Sequence, residues 1–279
     1  MLRRTVSSLV AAHRMDQSRH DVFVEGESDR ILLEWLTRES RNRDVRILEV
    51  DKYVEIDGPP VGGAKGRLLA LASQLLQNAP RAHFFADADY DALLGKSVPS
   101  NVWTTDGKDL EGYLAEPTVM RKAVHLGLHC DSIDVATALA DIIAICRRIA
   151  LLRILSERQH LALPFQRTSA ARHVRKNQEQ IQFMFDAYLR ALLQNAGISL
   201  RRQSQIETVH EKVTEEFSAT DDLRLIHGKD FLEVGEAYLR KRGLCARQLQ
   251  SVLWAAFDDS IQARAPNLRK VIHFIESPV

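Results

Sequence analysis

The chain has 279 residues, of which 45% are apolar, so it can bury the core of one large domain or two modest ones. Its formal net charge of +1 is too small to indicate any particular binding partner. The three cysteines are odd in number and far apart, which excludes a disulfide framework or metal knuckle and favours a reducing cytoplasm. No apolar run approaches the roughly 20 residues that span a bilayer, so no membrane partner is expected.

The first predicted elements are an N-terminal arm or helix over residues 1–20, a buried strand over 21–25 and an amphipathic helix over 28–40. The strand runs into Glu25-Gly26, which predicts a tight turn that leaves a carboxylate at its mouth. The helix is predicted to be capped at Ser28 or Asp29, because short polar side chains satisfy the first free backbone N–H groups.

Strands and helices are predicted to alternate through the first 116 residues. Further strands are expected at 45–50, 82–86 and 101–105, a loop at 51–66, and helices at 68–76 and from 109–115. Such alternation implies βαβ units and an α/β fold with a parallel sheet and helices on both faces. Functional groups in these sheets gather at the carboxyl ends of the strands.

Beyond Glu116-Pro117 the pattern is almost entirely helical as far as residue 217, with long apolar-periodic runs at 135–155 and 178–193. Leu223–Ile226 is a short apolar run before a glycine turn and a helix over 231–240, which predicts a return to the sheet. We therefore predict an αβ core with an N-terminal arm over 1–116, a helical insertion over 117–220, and a closing αβ element with C-terminal helices over 221–279.

The strongest chemical signal is a pair of carboxylates, Asp87 and Asp89, at the end of the 82–86 strand. If strand geometry persists there, both side chains face the same way, and Glu25 lies at the end of a neighbouring strand. Mg²⁺ prefers such oxygen ligands, and two ions roughly 3.5–4 Å apart stabilise both oxygens of a phosphodiester displacement. The alternative is that Asp87–Asp91 form only a turn and helix cap.

Two further segments could meet the phosphates of nucleic acid. Backbone N–H groups of Gly62-Gly63-Ala64-Lys65-Gly66 could approach a phosphate, although a flexible turn explains this segment equally well. The stretch from 147 to 176 holds eight Lys or Arg against one acid, Glu157. It predicts a basic face, densest at Arg167, Arg172, Arg175 and Lys176, unless these cations pair within the fold.

These motifs resemble a known family. Phe23-Val24-Glu25-Gly26-Glu27-Ser28-Asp29 looks like the first motif of the Toprim domain of topoisomerases, primases and OLD-type nucleases, and Phe84–Asp91 looks like its second, Asp-x-Asp motif. Asp109-Leu110-Glu111-Gly112-Tyr113-Leu114 and the Gly62–Lys65 loop are similar to segments of Toprim-like effectors in PARIS-type anti-phage defence. The resemblance covers residues 21–116 well and 223–235 loosely, and it leaves 117–220 uncovered.

The resemblance implies an Mg²⁺-dependent endonuclease, with Mn²⁺ as an alternative ion. Glu25 would be the catalytic acid/base, Asp87 and Asp89 the metal ligands, Asp29 and Glu111 a second metal position, and Lys229 a cation that stabilises phosphoryl charge. It also implies a DNA or RNA substrate and a partner ATPase that restrains a toxic effector. The predicted helical insertion is long enough to be a surface for homodimerisation or for a partner, and its pattern does not decide between them. The alternative is a non-catalytic Toprim-like module that binds nucleic acid or protein. A topoisomerase or primase would need modules that are not visible in this sequence.

Overall fold

The computed structural model describes residues 3–56, 62–177, 180–239 and 244–277. The side chains of residues 176, 177, 180, 259 and 260 are outside this range, as are the residues Gly58-Pro59-Pro60 of the predicted 51–66 loop and residue 240 of the predicted 231–240 helix.

The first part of the chain alternates strands and helices, as predicted. Its elements are β1 (Arg4–Thr5), α1 (Val6–Met15), β2 (His20–Val24), α2 (Glu27–Leu36), β3 (Val45–Glu49), α3 (Val50–Tyr53), β4 (Val54–Glu55), α4 (Gly63–Leu75), β5 (Ala82–Ala86) and β6 (Val102–Thr104).

The remainder is mainly helical and contains one hairpin. Its elements are α5 (Pro117–Lys122), α6 (Val135–Arg158), β7 (Val174–Asn177), β8 (Gln180–Phe183), α7 (Phe185–Asn195), α8 (Gln203–Glu216), α9 (Asp222–Leu225), α10 (Gly228–Leu239), α11 (Ala246–Ala256) and α12 (Pro266–Glu276). Single turns of 3₁₀ helix lie at Ala92–Leu94, Leu110–Leu114, Phe165–Arg167, Ala170–His173, Leu200–Arg202 and Asp259–Ala263, and a π-turn lies at Ala123–Gly127.

The chain forms two compact units. Unit 1 comprises Met1–Asp106 and Asp259–Val279, and unit 2 comprises Gly107–Asp258. The structure therefore divides the chain after residues 106 and 258, where the sequence predicted divisions after 116 and 220.

The predicted closing strand at Leu223–Ile226 is wrong, because most of this segment lies in the short helix α9. The Asp221 side chain accepts the backbone N–H of Leu223 at 2.8 Å and so begins a helical turn. The following helix, α10, packs against α6 and α11 within unit 2. Of the predicted C-terminal helices, only α12 belongs to unit 1 with the main sheet.

A four-stranded parallel sheet in the order β3-β2-β5-β6 organises unit 1, and a mixed α/β fold is confirmed. Its strands match the predicted ones to within one or two residues. From β2 the chain first adds β3 on one side and later adds β5 on the other. The strand order therefore reverses between β2 and β5, which is where parallel α/β sheets place their ligand crevices.

Helices cover both faces of this sheet, as predicted. Phe23 and Phe84 stack at 5.2 Å between ring centroids, and they form one buried cluster with apolar residues of α1 and α4. Alternation along the strands turns their neighbours to the opposite face. There His83 and Trp103 stack at 4.4 Å, and Phe274 of α12 packs against both.

The hairpin of β7 and β8 in unit 2 was not predicted, because the periodicity of residues 178–193 predicts a single helix. Strands β7 and β8 pair antiparallel, and helix α7 begins only at Phe185. The predicted helix over 135–155 is confirmed as α6, which extends to Arg158. Among the described residues, every helix is too short or too polar to cross a membrane.

Candidate metal and phosphate site

Glu25 follows β2 directly and stands at the point where the strand order reverses. Helix α2 begins from Gly26, and the Asp29 carboxylate accepts the Gly26 N–H at 2.9 Å. The predicted cap at Ser28 or Asp29 is therefore misplaced: the N-cap is Gly26, and Asp29 lies three residues later and reaches back to it. This contact fixes the turn that carries Glu25.

The Asp87–Asp91 segment follows β5 and is tied to the turn after β2. The backbone N–H of Asp87 donates to Glu25 Oε1 at 2.9 Å, so the two strand ends are joined by a hydrogen bond. The next N–H, of Ala88, donates to the Thr105 hydroxyl at 2.9 Å. The structure thus brings Glu25 and the Asp-x-Asp segment together, as the sequence predicted.

Strand geometry does not persist through Asp87 and Asp89, and this part of the prediction is wrong. Strand β5 ends at Ala86, and Asp89 has φ of +49°, which is the left-handed region. The segment is a turn, and the backbone conformation of this turn, not strand alternation, sets the directions of its carboxylates. Asp91 then begins the short 3₁₀ turn at Ala92–Leu94, without a cap bond from its side chain.

Lys65 supplies a cation inside this acidic cluster. Its Nζ lies 2.7 Å from Asp89 Oδ2 and 2.6 Å from Asp91 Oδ2. Burial opposes the charged amine, but the two carboxylates outweigh it and raise the pKa of Lys65. The predicted 51–66 loop extends too far, because Gly63 begins α4 after Gly62 at φ of +75°. Of the two alternatives for 62–66, the flexible turn is therefore wrong, and the first helical turn carries Lys65 toward the cluster.

The electrostatics of the site centre on Glu25. Burial raises the pKa of Glu25 to about 7, and the negative charges of Asp29 and Asp89 push it in the same direction. The Asp87 N–H and the Lys65 amine act against this rise without cancelling it. A carboxyl group with such a pKa exchanges a proton readily near neutral pH.

The side chains at these strand ends fit a hard divalent ion by their chemistry. They offer carboxylate oxygens, the charges of Asp29 and Asp89 add to burial in raising the pKa of Glu25, and the Lys65 amine contacts two of the carboxylates. In the arrangement described, no group of three or more His, Cys, Asp or Glu side chains within the described residues is close enough to hold a metal ion. Lys65 supplies positive charge to Asp89 and Asp91, and Lys96 Nζ lies 3.3 Å from Asp91 Oδ1.

A charged neighbour at the same sheet edge was missed by the sequence reasoning. Glu49 ends β3 and accepts from Arg30 Nε at 2.9 Å and from Lys52 Nζ at 3.1 Å. Arg30 also pairs with Glu34 at 2.7 Å, one helical turn along α2. The signal was available, because Glu49 follows alternating apolar residues and falls at a strand end just as Glu25 does.

Glu111 and Lys229, which were predicted to join the site, lie in unit 2, where their two motifs contact each other. The Asp109 carboxylate accepts N–H bonds from Gly112 at 3.0 Å and from Gly228 at 3.1 Å. A Cβ at Gly228 would lie 2.2 Å from the Glu111 Cβ, so the two turns meet without space for a side chain. Burial raises the pKa of Asp109 to about 6.

His227 completes this cluster of unit 2. Its Nδ1 lies 3.1 Å from Asp109 Oδ2 and also accepts the Lys229 N–H at 3.1 Å. Burial lowers the pKa of His227, and the nearby cations Lys108, Arg153 and Lys229 lower it further. His227 is therefore uncharged near neutral pH. The role of this cluster is to bind the backbone N–H groups of Gly228 and Lys229 at the start of α10.

The basic stretch divides into structural and exposed cations. Arg147, Arg153 and Arg158 pair with Asp222, Asp230 and Glu216 within unit 2.

Arg167, Arg172 and Arg175 are exposed and, among the described residues, make no side-chain hydrogen bond or ion pair. The side chain of Lys176 lies outside the described part of the chain, although its backbone belongs to β7. Three of the five cations predicted to bind nucleic acid are therefore exposed, whereas the fifth, Lys65, is paired with Asp89 and Asp91.

Comparison with known proteins gives no family for this chain. No model of a known protein family matches it, and no curated protein matches it either.

Proposed function

We propose that this protein is a metal-dependent nuclease of the Toprim type that hydrolyses phosphodiester bonds in DNA or RNA. The observation that carries the proposal is the Glu25–Asp87 hydrogen bond of 2.9 Å at the reversal of strand order between β2 and β5. It joins the Glu25 carboxyl to the Asp-x-Asp turn at the usual crevice of a parallel sheet, which supports an acid/base role for Glu25.

Each residue of the cluster has its own role in this proposal. Asp87 and Asp89 would hold Mg²⁺ or Mn²⁺, which would polarise a phosphoryl oxygen and acidify a bound water. Glu25 Oε1 is held by the Asp87 N–H, which leaves Oε2 to take a proton from the attacking water. Its pKa of about 7 lets Glu25 accept that proton and release it near neutral pH.

Lys65 would balance the charge of the cluster through Asp89 and Asp91. By the resemblance alone, Asp29 and Glu111 are proposed for a second metal position, and Lys229 is proposed to stabilise negative charge on the phosphoryl oxygens. By the same resemblance, the nuclease would be a cytoplasmic effector of anti-phage defence restrained by a partner ATPase.

The test is cleavage of supercoiled plasmid, linear DNA and total RNA with Mg²⁺, Mn²⁺ or EDTA. We expect metal-dependent cutting that Glu25→Gln and Asp87→Ala abolish. Glu55→Gln is the matched control, because Glu55 is an exposed carboxylate of β4 in the same unit. Cutting that survives Asp87→Ala unchanged would refute the assignment.

A second function, a non-catalytic Toprim-like binding module, is favoured by one observation. Lys65 already neutralises Asp89 and Asp91 at 2.7 and 2.6 Å, so the cluster is stable as an internal ion pair. This function predicts binding of nucleic acid without turnover under every metal condition. Repeating the assay with the neighbouring gene product added distinguishes it from a nuclease that is held inactive until its partner releases it.

A further inference from the structure

Unit 2 contains a pocket that combines cations with aromatic rings. Its volume is about 430 Å³, which lies in the range of small-molecule sites, and β8, α7 and Arg148 of α6 line it. The residues that matter to the argument are Arg148, Gln182, Phe183, Phe185, Asp186 and Arg190.

The guanidinium of Arg148 is held at the pocket by a ring. Its Cζ lies 4.3 Å from the centroid of Phe185, and Phe185 in turn packs on His210 at 4.8 Å. Burial lowers the pKa of Arg148 and the charge of Asp186 opposes this, but an arginine stays charged in either case. The stacked guanidinium is therefore preorganised, and its N–H edge can meet an anion.

Two more arginines lie on elements that form or adjoin the pocket, one on α7 and one on β7, which pairs with β8. Arg190 lines the pocket, is exposed and, in the described part of the chain, makes no side-chain hydrogen bond or ion pair. Arg175 lies directly opposite Gln182 in the β7–β8 hairpin, so both side chains project from the same face of that hairpin. Three arginines against one carboxylate, Asp186, leave this region positive.

The pocket also offers a ring and hydrogen-bonding groups. Phe183 is partly exposed, and its ring packs against the rings of Phe185 and Tyr188 with centroid distances of 6.2 and 5.4 Å. A base can stack on such a ring, while Gln182 and Asp186 can meet the donors and acceptors of a base edge. An unstacked base with its flanking phosphates could use the arginines, the Phe183 ring and the hydrogen-bonding groups together, whereas a duplex hides the face of the base.

We propose that this pocket binds one nucleotide of single-stranded nucleic acid, with Arg148 and Arg190 on the phosphates and Phe183 stacked on the base. The choice of ligand rests on the proposed function, and it narrows the substrate of that function to single strands. The pocket lies wholly within unit 2, so its test does not depend on Glu25.

The experiment is fluorescence anisotropy of the full chain with a labelled single-stranded oligonucleotide of about ten nucleotides, within the span of one single-strand-binding module. It is run in EDTA so that cleavage cannot interfere, and a duplex of the same sequence is measured in parallel. The variants are Arg148→Gln/Arg190→Gln and Phe183→Leu. The charge-matched control is Arg121→Gln/Arg247→Gln, which removes two exposed arginines from α5 and α11.

We expect the Arg148→Gln/Arg190→Gln variant to bind the single strand about tenfold more weakly. Its slope of log affinity against log salt should fall by about 0.7 for each phosphate that an arginine no longer neutralises. Phe183→Leu keeps the packing against Tyr188 but removes the stacking face, and it should weaken binding at least about fivefold with no change of slope. The control should bind as the wild type does, and the duplex should bind less tightly than the single strand.

Equal losses of affinity in the pocket and control variants would show diffuse attraction and overturn the proposal, as would an absence of single-strand binding or a preference for the duplex. Far-ultraviolet circular dichroism of each variant shows whether the fold is kept. Binding is measured in EDTA and therefore does not depend on cleavage, so a failure of the nuclease assay with intact pocket-dependent binding would refute the nuclease alone.

Discussion

Glu25→Gln should make the protein more stable at alkaline pH, and this prediction follows from the environment of one buried carboxyl group. The variant keeps the amide oxygen that accepts the Asp87 N–H but cannot ionise. In the wild type, burial and the charges of Asp29 and Asp89 raise the pKa from 4.5 to about 7. Folding therefore costs free energy whenever Glu25 is charged.

The sign and size of the effect follow from proton linkage. Between pH 4.5 and 7 the folded protein holds a proton on Glu25 that the unfolded chain has released, so wild-type stability falls as pH rises through this window. The full shift corresponds to about 3 kcal/mol, and partial exposure of Glu25 reduces this to about 2 kcal/mol. The melting temperature of the variant should then be roughly 4–8 °C above that of the wild type at pH 8. At pH 4.5 the two proteins should melt at the same temperature.

The assay is thermal unfolding in EDTA across this pH range, followed by circular dichroism. Glu55→Gln serves as the control, because its exposed carboxylate should leave the pH profile unchanged. Parallel wild-type and Glu25→Gln profiles from pH 4.5 to 8 would refute the argument, since they would show that Glu25 titrates normally in the folded protein.

Three further substitutions test the packing and charge of each unit by thermal unfolding in EDTA. Lys65→Met removes the amine between Asp89 and Asp91 and should lower the free energy of unfolding by about 1–3 kcal/mol. Lys96→Met removes a 58% exposed partner of Asp91 and should lower it by under about 0.5 kcal/mol. Equal losses would contradict the central role of Lys65. Arg153→Met breaks a buried bidentate pair with Asp230 and should cost about 3 kcal/mol, against under about 1 kcal/mol for Arg158→Met, whose partner Glu216 is 51% exposed. Gly228→Ala places a Cβ 2.2 Å from the Glu111 Cβ and should prevent unit 2 from folding stably. Gly26→Ala meets only an Asp29 oxygen at 4.0 Å and should lower the free energy of unfolding by about 1 kcal/mol. A stable Gly228→Ala protein would refute the close contact.

The strands of unit 1 could be predicted because their apolar runs are bounded by turn residues and separated by helical periodicity. The same logic located Glu25 and Asp87, since carboxylates that follow parallel strands meet at one edge. The pairing of Lys65 with Asp89 and Asp91 could not be predicted. It depends on a helix that starts at Gly63 and on the left-handed bend at Asp89, and neither follows from local sequence alone.

The errors in unit 2 have identifiable causes. Residues 180–183 alternate polar and apolar side chains as a strand does, but the helical periodicity of α7 extends the helical signal backwards over them. Leu223–Ile226 is apolar enough for a strand, yet Asp221 caps a helical turn at that position. The contact between the Asp109 and His227 motifs spans 119 residues of sequence, and no local pattern encodes such a distance.

Unit 1 is assembled from two separate pieces of chain, and this affects how it folds during synthesis. The Asp106 carboxylate accepts the first N–H groups of α12, from Asn267 at 2.8 Å and Leu268 at 3.1 Å, and Phe274 then covers His83 and Trp103. On the ribosome, all of residues 107–258 must emerge before α12 can reach that face. The nascent sheet therefore keeps an uncovered aromatic surface throughout that interval, and such transiently exposed apolar surface favours aggregation of a folding chain.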